Sequence, residues 1–355
     1  MYDDPSIFDR KFEHIKIVLD KDVDYRVGTW LEYVHPIHMS LPEMDIDEVD
    51  TRVFFLGREF SYPVLIDSMT GGTEKAYHIN EALGRLAAKY NVPISCGSQK
   101  AGLMDKEVVY TYRVIRDVCP DCFLIGNIGG MDIVEDPVGI AEQVVSMVDA
   151  DALAIHLNPL QEAVQHESRP KYRSVLGAIE EVCDSLDVPV IVKETGAGIS
   201  MGVAKALEAS GVSAINVSGS GGTSWAAVEV YRNLIRDDRL MAEVGKSFWD
   251  WGIPTAASII EVASSVDIPV VASGGIRSGV DVVKSIIIGA TMAGLAAPFL
   301  KAYYRGELDF FMEKLVNEVR VAMFLVGART VDDLSRVDYV LTGDLLEWCR
   351  QRGLV

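Results

Sequence analysis

Eight short apolar runs, separated by amphipathic stretches, constrain the fold of this 355-residue chain more than any other feature. They occupy residues 64–68, 93–98, 123–127, 152–157, 190–193, 214–218, 270–273 and 292–296. Such short, continuously apolar segments read as parallel strands buried on both faces. Between most of them apolar residues recur at helical spacing. Ile79, Leu83, Leu86, Ala87 and Tyr90 share one face, as do Ile140, Val144, Met147 and Val148, and then Val175, Ile179, Val182 and Leu186. Strand and helix together repeat at roughly thirty residues, and eight such units predict an α/β fold, a (β/α)8 TIM barrel. With 49% apolar residues the chain can fill a sizeable core.

Residues 1–63 precede the barrel. Residues 8–19 read as a short helix and 51–62 as a hairpin, so 1–63 is expected to be an N-terminal extension packed on a barrel of residues 64–355. An insertion rich in Trp and charge lengthens the link between the sixth and seventh strands at about 224–252. It is either a lid over the open end or a passive elaboration of the surface. A net charge of −19 argues against nucleic acid and anionic membranes as partners. No apolar run approaches the ~18 residues of a membrane span. The acidic start Met1-Tyr2-Asp3-Asp4-Pro5 has no signal-like apolar core, and five scattered cysteines fit a reducing compartment; a cytoplasmic location is expected.

Polar groups gather where nearly every strand ends: Asp67 and Ser68, Ser95 and Ser98, Asn127, His156 and Asn158, Lys193 and Glu194, Asn216 and Ser218, Ser273. In a barrel of this kind that end carries the chemistry, because the βα loops open there. The densest cluster is His156-Leu157-Asn158-Pro159-Leu160-Gln161-Glu162, where a carboxylate beside an amide can hold a hard cation and position a phosphate. Ser273-Gly274-Gly275-Ile276-Arg277 after strand seven and Gly294-Leu295-Ala296-Ala297-Pro298 after strand eight have the composition of a phosphate site. There Arg277 would add a bidentate clamp. The Gly-rich loops Met69-Thr70-Gly71-Gly72 and Ser218-Gly219-Ser220-Gly221-Gly222-Thr223 are not dinucleotide fingerprints, but would let a flat ring lie across the mouth. Lys193, at the tip of a buried strand, needs a negative partner: the pyrimidine side of a reduced flavin, or a carboxylate such as Glu194. Cys119-Pro120-Asp121-Cys122 has redox spacing but lies at the stability end, where a packed, reduced pair is the simpler reading.

In order along the chain, Arg10-Lys11-Phe12-Glu13-His14, Ser68-Met69-Thr70-Gly71-Gly72, Gly97-Ser98-Gln99-Lys100, Asn127-Ile128-Gly129, the His156–Glu162 run, Val192-Lys193-Glu194, Thr223-Ser224-Trp225, Trp251-Gly252-Ile253-Pro254-Thr255 and Gly274-Gly275-Ile276-Arg277 closely resemble the type 2 isopentenyl-diphosphate isomerase family. Gly-Gly-Ile-Arg alone is shared by many FMN barrels; Arg-Lys-x-Glu-His together with His-Leu-Asn-Pro-Leu-Gln-Glu is far more specific. The resemblance implies interconversion of isopentenyl and dimethylallyl diphosphate with reduced FMN as acid/base, Mg2+ on the diphosphate, NADPH as reductant of the flavin, and a homotetramer or larger homo-oligomer.

Carried over motif by motif, FMN would be held by Met69, Thr70, Gly71, Ser98, Asn127, Lys193, Ser218, Thr223, Gly275, Ile276, Arg277, Ala296 and Ala297. The substrate would meet Arg10, Lys11, Ser98, Gln99, Lys100, Asn158 and Gln161, with Mg2+ on Glu162. Gln161, His156 and Lys193 would be the catalytic groups. Members commonly carry Arg where this chain has Lys100, so a bidentate fork is not expected there. Two other functions stay open: an FMN-barrel oxidoreductase, which would need a base placed for hydride transfer, and a non-catalytic barrel that binds a phosphorylated metabolite.

Overall fold

The computed structural model describes residues 6–355, except for the side chains of residues 6–10 and of Phe12. Strands β1 (Val64–Ile66), β2 (Ile94–Ser95), β3 (Leu124–Gly129), β4 (Ala152–Leu157), β5 (Val190–Glu194), β6 (Ala214–Asn216), β7 (Val270–Ala272) and β8 (Met292–Leu295) pair in chain order. β8 also pairs with β1, which closes a TIM barrel and leaves no free edge. Val64, Ile66, Ile155, Val192, Ile215 and Met292 are wholly buried, which accounts for the lack of polar alternation in the sequence. Each such side chain contributes about 1.5–3 kcal/mol relative to exposure. The register levels the strand tips: Gly129 lies opposite His156, His156 opposite Lys193, and Lys193 opposite Asn216.

The N-terminal end of the barrel is closed by the hairpin Val53–Phe55 and Arg58–Phe60. Its two-residue turn, Leu56-Gly57, has positive φ at both positions, the twist that matches paired strands. Phe60 packs edge-on against Phe123, at a ring distance of 5.7 Å, just before β3. Cys119 and Cys122 lie at this same end as buried free thiols, with the Cys122 thiol donating to the Cys119 carbonyl.

Residues beyond the eighth strand, which the apolar runs did not foretell, fold back onto the extension. Tyr339–Leu341 pairs antiparallel with Val34–Pro36, and Trp348 packs against Trp30 at 5.8 Å.

The insertion forms two helices, Trp225–Ile235 and Arg239–Ser247, rather than an irregular flap. The first carries the N-terminal helix Ser6–Asp20 through a small apolar cluster of Ile17, Val23, Ala227 and Val228. Arg232 fastens the pair. Its side chain is fully buried and meets Glu229 at 2.6 Å, Glu167 at 2.7 Å and Glu13 at 3.0 Å. Removing one partner from a buried ionic group strands the others without compensation. Arg232→Ala is therefore expected to cost about 3–5 kcal/mol in urea unfolding. Lys246→Ala, which breaks an exposed pair with Glu243, should cost under about 1 kcal/mol. Equal effects would refute the assignment of Arg232 as the fastening.

Candidate active site

A cavity of about 680 Å³ opens at the C-terminal end of the strands. Its floor is a polar layer raised on the strand tips. His156 Nδ1 lies 2.8 Å from Asn127 Oδ1, Asn127 Nδ2 donates to Ser68 Oγ at 2.8 Å, and Ser68 Oγ lies 2.7 Å from Ser95 Oγ. Since Asn127 Oδ1 can only accept, the His156 proton sits on Nδ1 and the Nε2 lone pair is left for the cavity. Burial pushes the His156 pKa down to about 4, with Lys193, Lys100 and Lys11 adding to the effect against the opposing charge of Asp132. At neutral pH the ring is uncharged.

On β5 alternate residues face opposite ways. Lys193 Nζ points inward and lies 3.7 Å from Asp67 Oδ2, which also accepts from Asn216 Nδ2 at 3.0 Å. Lys193 Nζ also donates to the Glu194 main-chain carbonyl at 3.2 Å, but the Glu194 carboxylate is not its partner. That carboxylate accepts from the N–H groups of Thr195, Gly196 and Ala197. Burial raises its pKa to about 7, while those three bonds pull the other way.

The wall after β4 is a short helix, Pro159–Val164, that brings three polar residues together. Asn158 Nδ2 donates to Gln161 Oε1 at 3.2 Å and to Glu162 Oε1 at 3.1 Å, while the Tyr172 hydroxyl fixes the other end of Asn158. Gln161 Nε2 donates to Glu229 Oε1 at 3.1 Å. Burial would raise the Glu229 pKa, but bonding to His14 and the charges of His14 and Arg232 outweigh it and hold it near 2. Glu229 was missed in the sequence. Its signal was a Glu and an Arg three apart on an otherwise apolar helix. The other Glu162 oxygen accepts from Ser168 Oγ, and no group of three or more metal-ligating side chains occurs among the described residues.

The wall above β2 and β3 is basic. Lys11 donates to the Ser98 carbonyl at 2.7 Å and to the Tyr112 hydroxyl, and Lys100 pairs with Asp132 at 2.7 Å. Asp132 was not foreseen as a partner. Lys11, Ser98, Lys100, Asn158, Gln161 and Glu162 all line the one cavity. Arg10 falls outside the described side chains. Gln99 requires a correction. It is fully buried, its Nε2 donates to the Val144 carbonyl and its Oε1 accepts from the Asn127 N–H, so it braces β3 instead of facing a ligand.

At the remaining side lie Met69, Thr70, Asn127, Lys193, Ser218, Thr223, Gly275, Ile276, Arg277, Ala296 and Ala297. Gly71 does not line the cavity. A Cβ there would lie 1.8 Å from the Tyr112 ring, so its glycine serves packing. The loop after β6 likewise spends its glycines on backbone contact: a Cβ on Gly222 would sit 2.5 Å from the amide nitrogen of Gly275. Two features ask for a ligand. The Thr70 hydroxyl is buried with no partner among the described residues. The helix Ala297–Arg305 begins with no side-chain cap and with Pro at its first turn, leaving N–H groups for an anion. Arg277 borders the same place, but its guanidinium is half exposed and already 2.8 Å from Asp24.

The unfolded chain would protonate His156 near pH 6.5, whereas the folded protein does so only near 4. The unfolded state binds more protons in that window, so this group's contribution to stability is lost as pH falls from 6.5 toward 4. We expect nitrogen-15 NMR to show a neutral, Nδ1-protonated ring from pH 5 to 8. Asn127→Asp should raise the His156 pKa by roughly 1–3 units. An imidazolium signal at pH 6.5 in the unmodified protein would contradict the geometry.

The family model described as FMN-dependent dehydrogenase matches residues 140–340. Isopentenyl-diphosphate delta-isomerase of Methanothermobacter thermautotrophicus is 48% identical over 98% of this chain and 97% of its own length. The enzyme of that name from Thermococcus onnurineus is 46% identical over 97% of this chain and 94% of its own. Among solved structures, mandelate oxidase with (S)-2-phenylpropionate has a TM-score of 0.65 at 19% identity, covering 93% of this chain and 94% of that one; this is a likeness of fold alone. Relatives so similar over nearly their whole length, joined to the FMN-dependent dehydrogenase match and the barrel just described, place this chain in the isopentenyl-diphosphate delta-isomerase family of FMN-dependent isomerases.

Proposed function

We propose that the chain interconverts isopentenyl diphosphate and dimethylallyl diphosphate by a 1,3-allylic proton shift at reduced FMN, with Mg2+ on the diphosphate. One observation carries this reading: a single cavity has a phosphate-ready, uncapped helix start on one side and two lysines facing an amide–carboxylate cluster on the other. The unpartnered Thr70 hydroxyl and the positive-φ turn at Gly275, which borders the cavity, fit FMN between these poles. Reduced FMN supplies an electron-rich ring that stabilises allylic cationic charge and exchanges protons.

The residues divide the remaining work. Main-chain N–H groups at Gly275, Ile276, Ala296 and Ala297, with Arg277, would hold the phosphate tail. Met69, Thr70, Ser98, Asn127, Ser218 and Thr223 would frame the ring. Lys193, 3.7 Å from Asp67 and bonded to the Glu194 carbonyl, would face its pyrimidine side. Lys11 and Lys100 offset the diphosphate. Mg2+ commonly takes one or two carboxylates plus phosphate oxygens and water, so the Glu162 carboxylate suits a metal that arrives with the substrate. Gln161, fixed between Asn158 and Glu229, and the neutral His156 would orient the isoprenoid carbons and the proton in transit. The oxidoreductase alternative fits less well. Hydride transfer from a hydroxy acid calls for a base tuned near neutrality; of the two imidazoles lining the cavity, His156 is held near 4 and His14 is tied to Glu229 at 3.0 Å. The shift is redox-neutral, so NADPH would serve only to reduce the flavin beforehand.

Pre-reduced enzyme given isopentenyl diphosphate and Mg2+ without oxygen should form dimethylallyl diphosphate with no net flavin oxidation. Stoichiometric reoxidation with no isomer would overturn the proposal. Glu162→Gln should retain the flavin spectrum and lose at least about tenfold in kcat/KM, roughly 1.4 kcal/mol, as Mg2+ dependence disappears. Unchanged turnover would move the metal elsewhere.

A further inference from the structure

The cavity does not stop at the phosphate-ready turns. Beyond Ala297 and Pro298 it runs outward along the helix Ala297–Arg305 to Lys301 and Arg305, and then to Glu307, Phe310 and Lys314 at the start of the helix Leu308–Leu325. Three cations line this arm in a chain of net charge −19. Lys301 and Arg305 are four residues apart on one helix, a spacing at which like charges repel. Among the described residues neither has a carboxylate within ion-pair distance, whereas Lys314 is paired with Glu318 at 3.2 Å. Beside them Phe310 is 67% exposed, an unusual position for a large aromatic ring. A pair of uncompensated cations asks for an anion, and a bare ring next to it asks for a flat partner. The single carboxylate of the arm, Glu307, can accept hydrogen bonds from sugar hydroxyls.

We propose that this arm binds the adenosine-diphosphate end of a dinucleotide, with Lys301, Arg305 and Lys314 on its phosphates and Phe310 against its base. The proposal rests on the FMN reading above, since the arm begins where the flavin phosphate would end. Two sources share this chemistry: the adenylate half of FAD in place of FMN, or a free reduced nicotinamide dinucleotide docking beside bound FMN. A lone phosphate or a second isoprenoid diphosphate would leave the exposed ring without a function.

The test titrates ADP into air-oxidised FMN holoenzyme saturated with isopentenyl diphosphate and Mg2+, so that the Lys11–Lys100 pole is already filled. ADP should bind with a submillimolar Kd, and Lys301→Glu or Arg305→Glu should weaken it at least about tenfold. Phe310→Ala should weaken ADP but leave inorganic pyrophosphate at this arm unaffected. Displacement of ADP by NADPH identifies a free dinucleotide as the ligand. Loss of the ADP site on loading the apoprotein with FAD identifies the flavin adenylate. The milder Lys301→Ala replaces the reversal if that variant does not fold. No ADP binding up to about 5 mM, or equal affinity in all variants, overturns the proposal. If the wild-type protein takes up FMN and isomerises in that event, the underlying reading survives; if it takes up no FMN, that reading fails first.

Discussion

Arg232 is the interaction on which the geometry of the mouth depends. A guanidinium with no solvent contact cannot shed its proton and must be surrounded by acceptors. It draws Glu13 from the N-terminal helix, Glu167 from the loop beyond the fourth strand and Glu229 from its own helix. Three chain segments far apart in sequence are thus held at one point. Two of the three carboxylates also reach the cavity wall through neighbours: Glu229 fixes Gln161, and Glu13 lies two residues from Lys11. The surplus of negative charge is met in part by His14 and Arg236. Structural clamp and binding surface are therefore one network.

The strand register does the complementary work from below. Because neighbouring tips are level, His156, Lys193 and Asn216 project into one polar layer, and Asn127 and Ser68 extend it around the barrel. Every hydrogen bond in that layer constrains the next. Asn127 can accept from His156 only while its amide donates to Ser68, so a single flip would disturb two strands. Neutral His156 follows from this arrangement and from burial; it is a property of the layer, not of the residue alone.

The barrel was legible because each strand carries its own signal in a run of apolar residues, and the closed sheet adds nothing that alternation had to reveal. The mouth was legible for the same reason, since a strand tip is where an apolar run stops. What could not be read was any contact made across the sequence. The Lys100–Asp132 pair, the Glu229 support of Gln161 and the inward turn of Gln99 join segments that no spacing rule links. Glycine in the loop after β6 serves two ends: Gly222 borders the cavity and also lies against Gly275, a packing contact that the sequence did not reveal. The C-terminal residues beyond β8 were passed over because their helix and short strand pack on the extension rather than repeating the barrel unit.

An overall charge of −19 and an anionic substrate are compatible only if attraction is local. At physiological ionic strength a charge is screened within about 8 Å, so the mean negative field matters on approach and fades at contact. Inside the cavity the balance reverses. Lys11, Lys100 and Lys193 sit in a partly enclosed space where screening is weak, and Asp132 and Asp67 orient Lys100 and Lys193 without a ligand. Such pairing lowers the desolvation penalty of each lysine at the cost of part of its attraction for phosphate. The longer Lys193–Asp67 separation leaves more of that attraction available than the short Lys100–Asp132 contact does. The cavity can therefore grade its affinity for negative charge, firmer at the barrel axis and weaker at the rim. That gradient suits a ring held permanently near the centre and a diphosphate that must leave after each turnover.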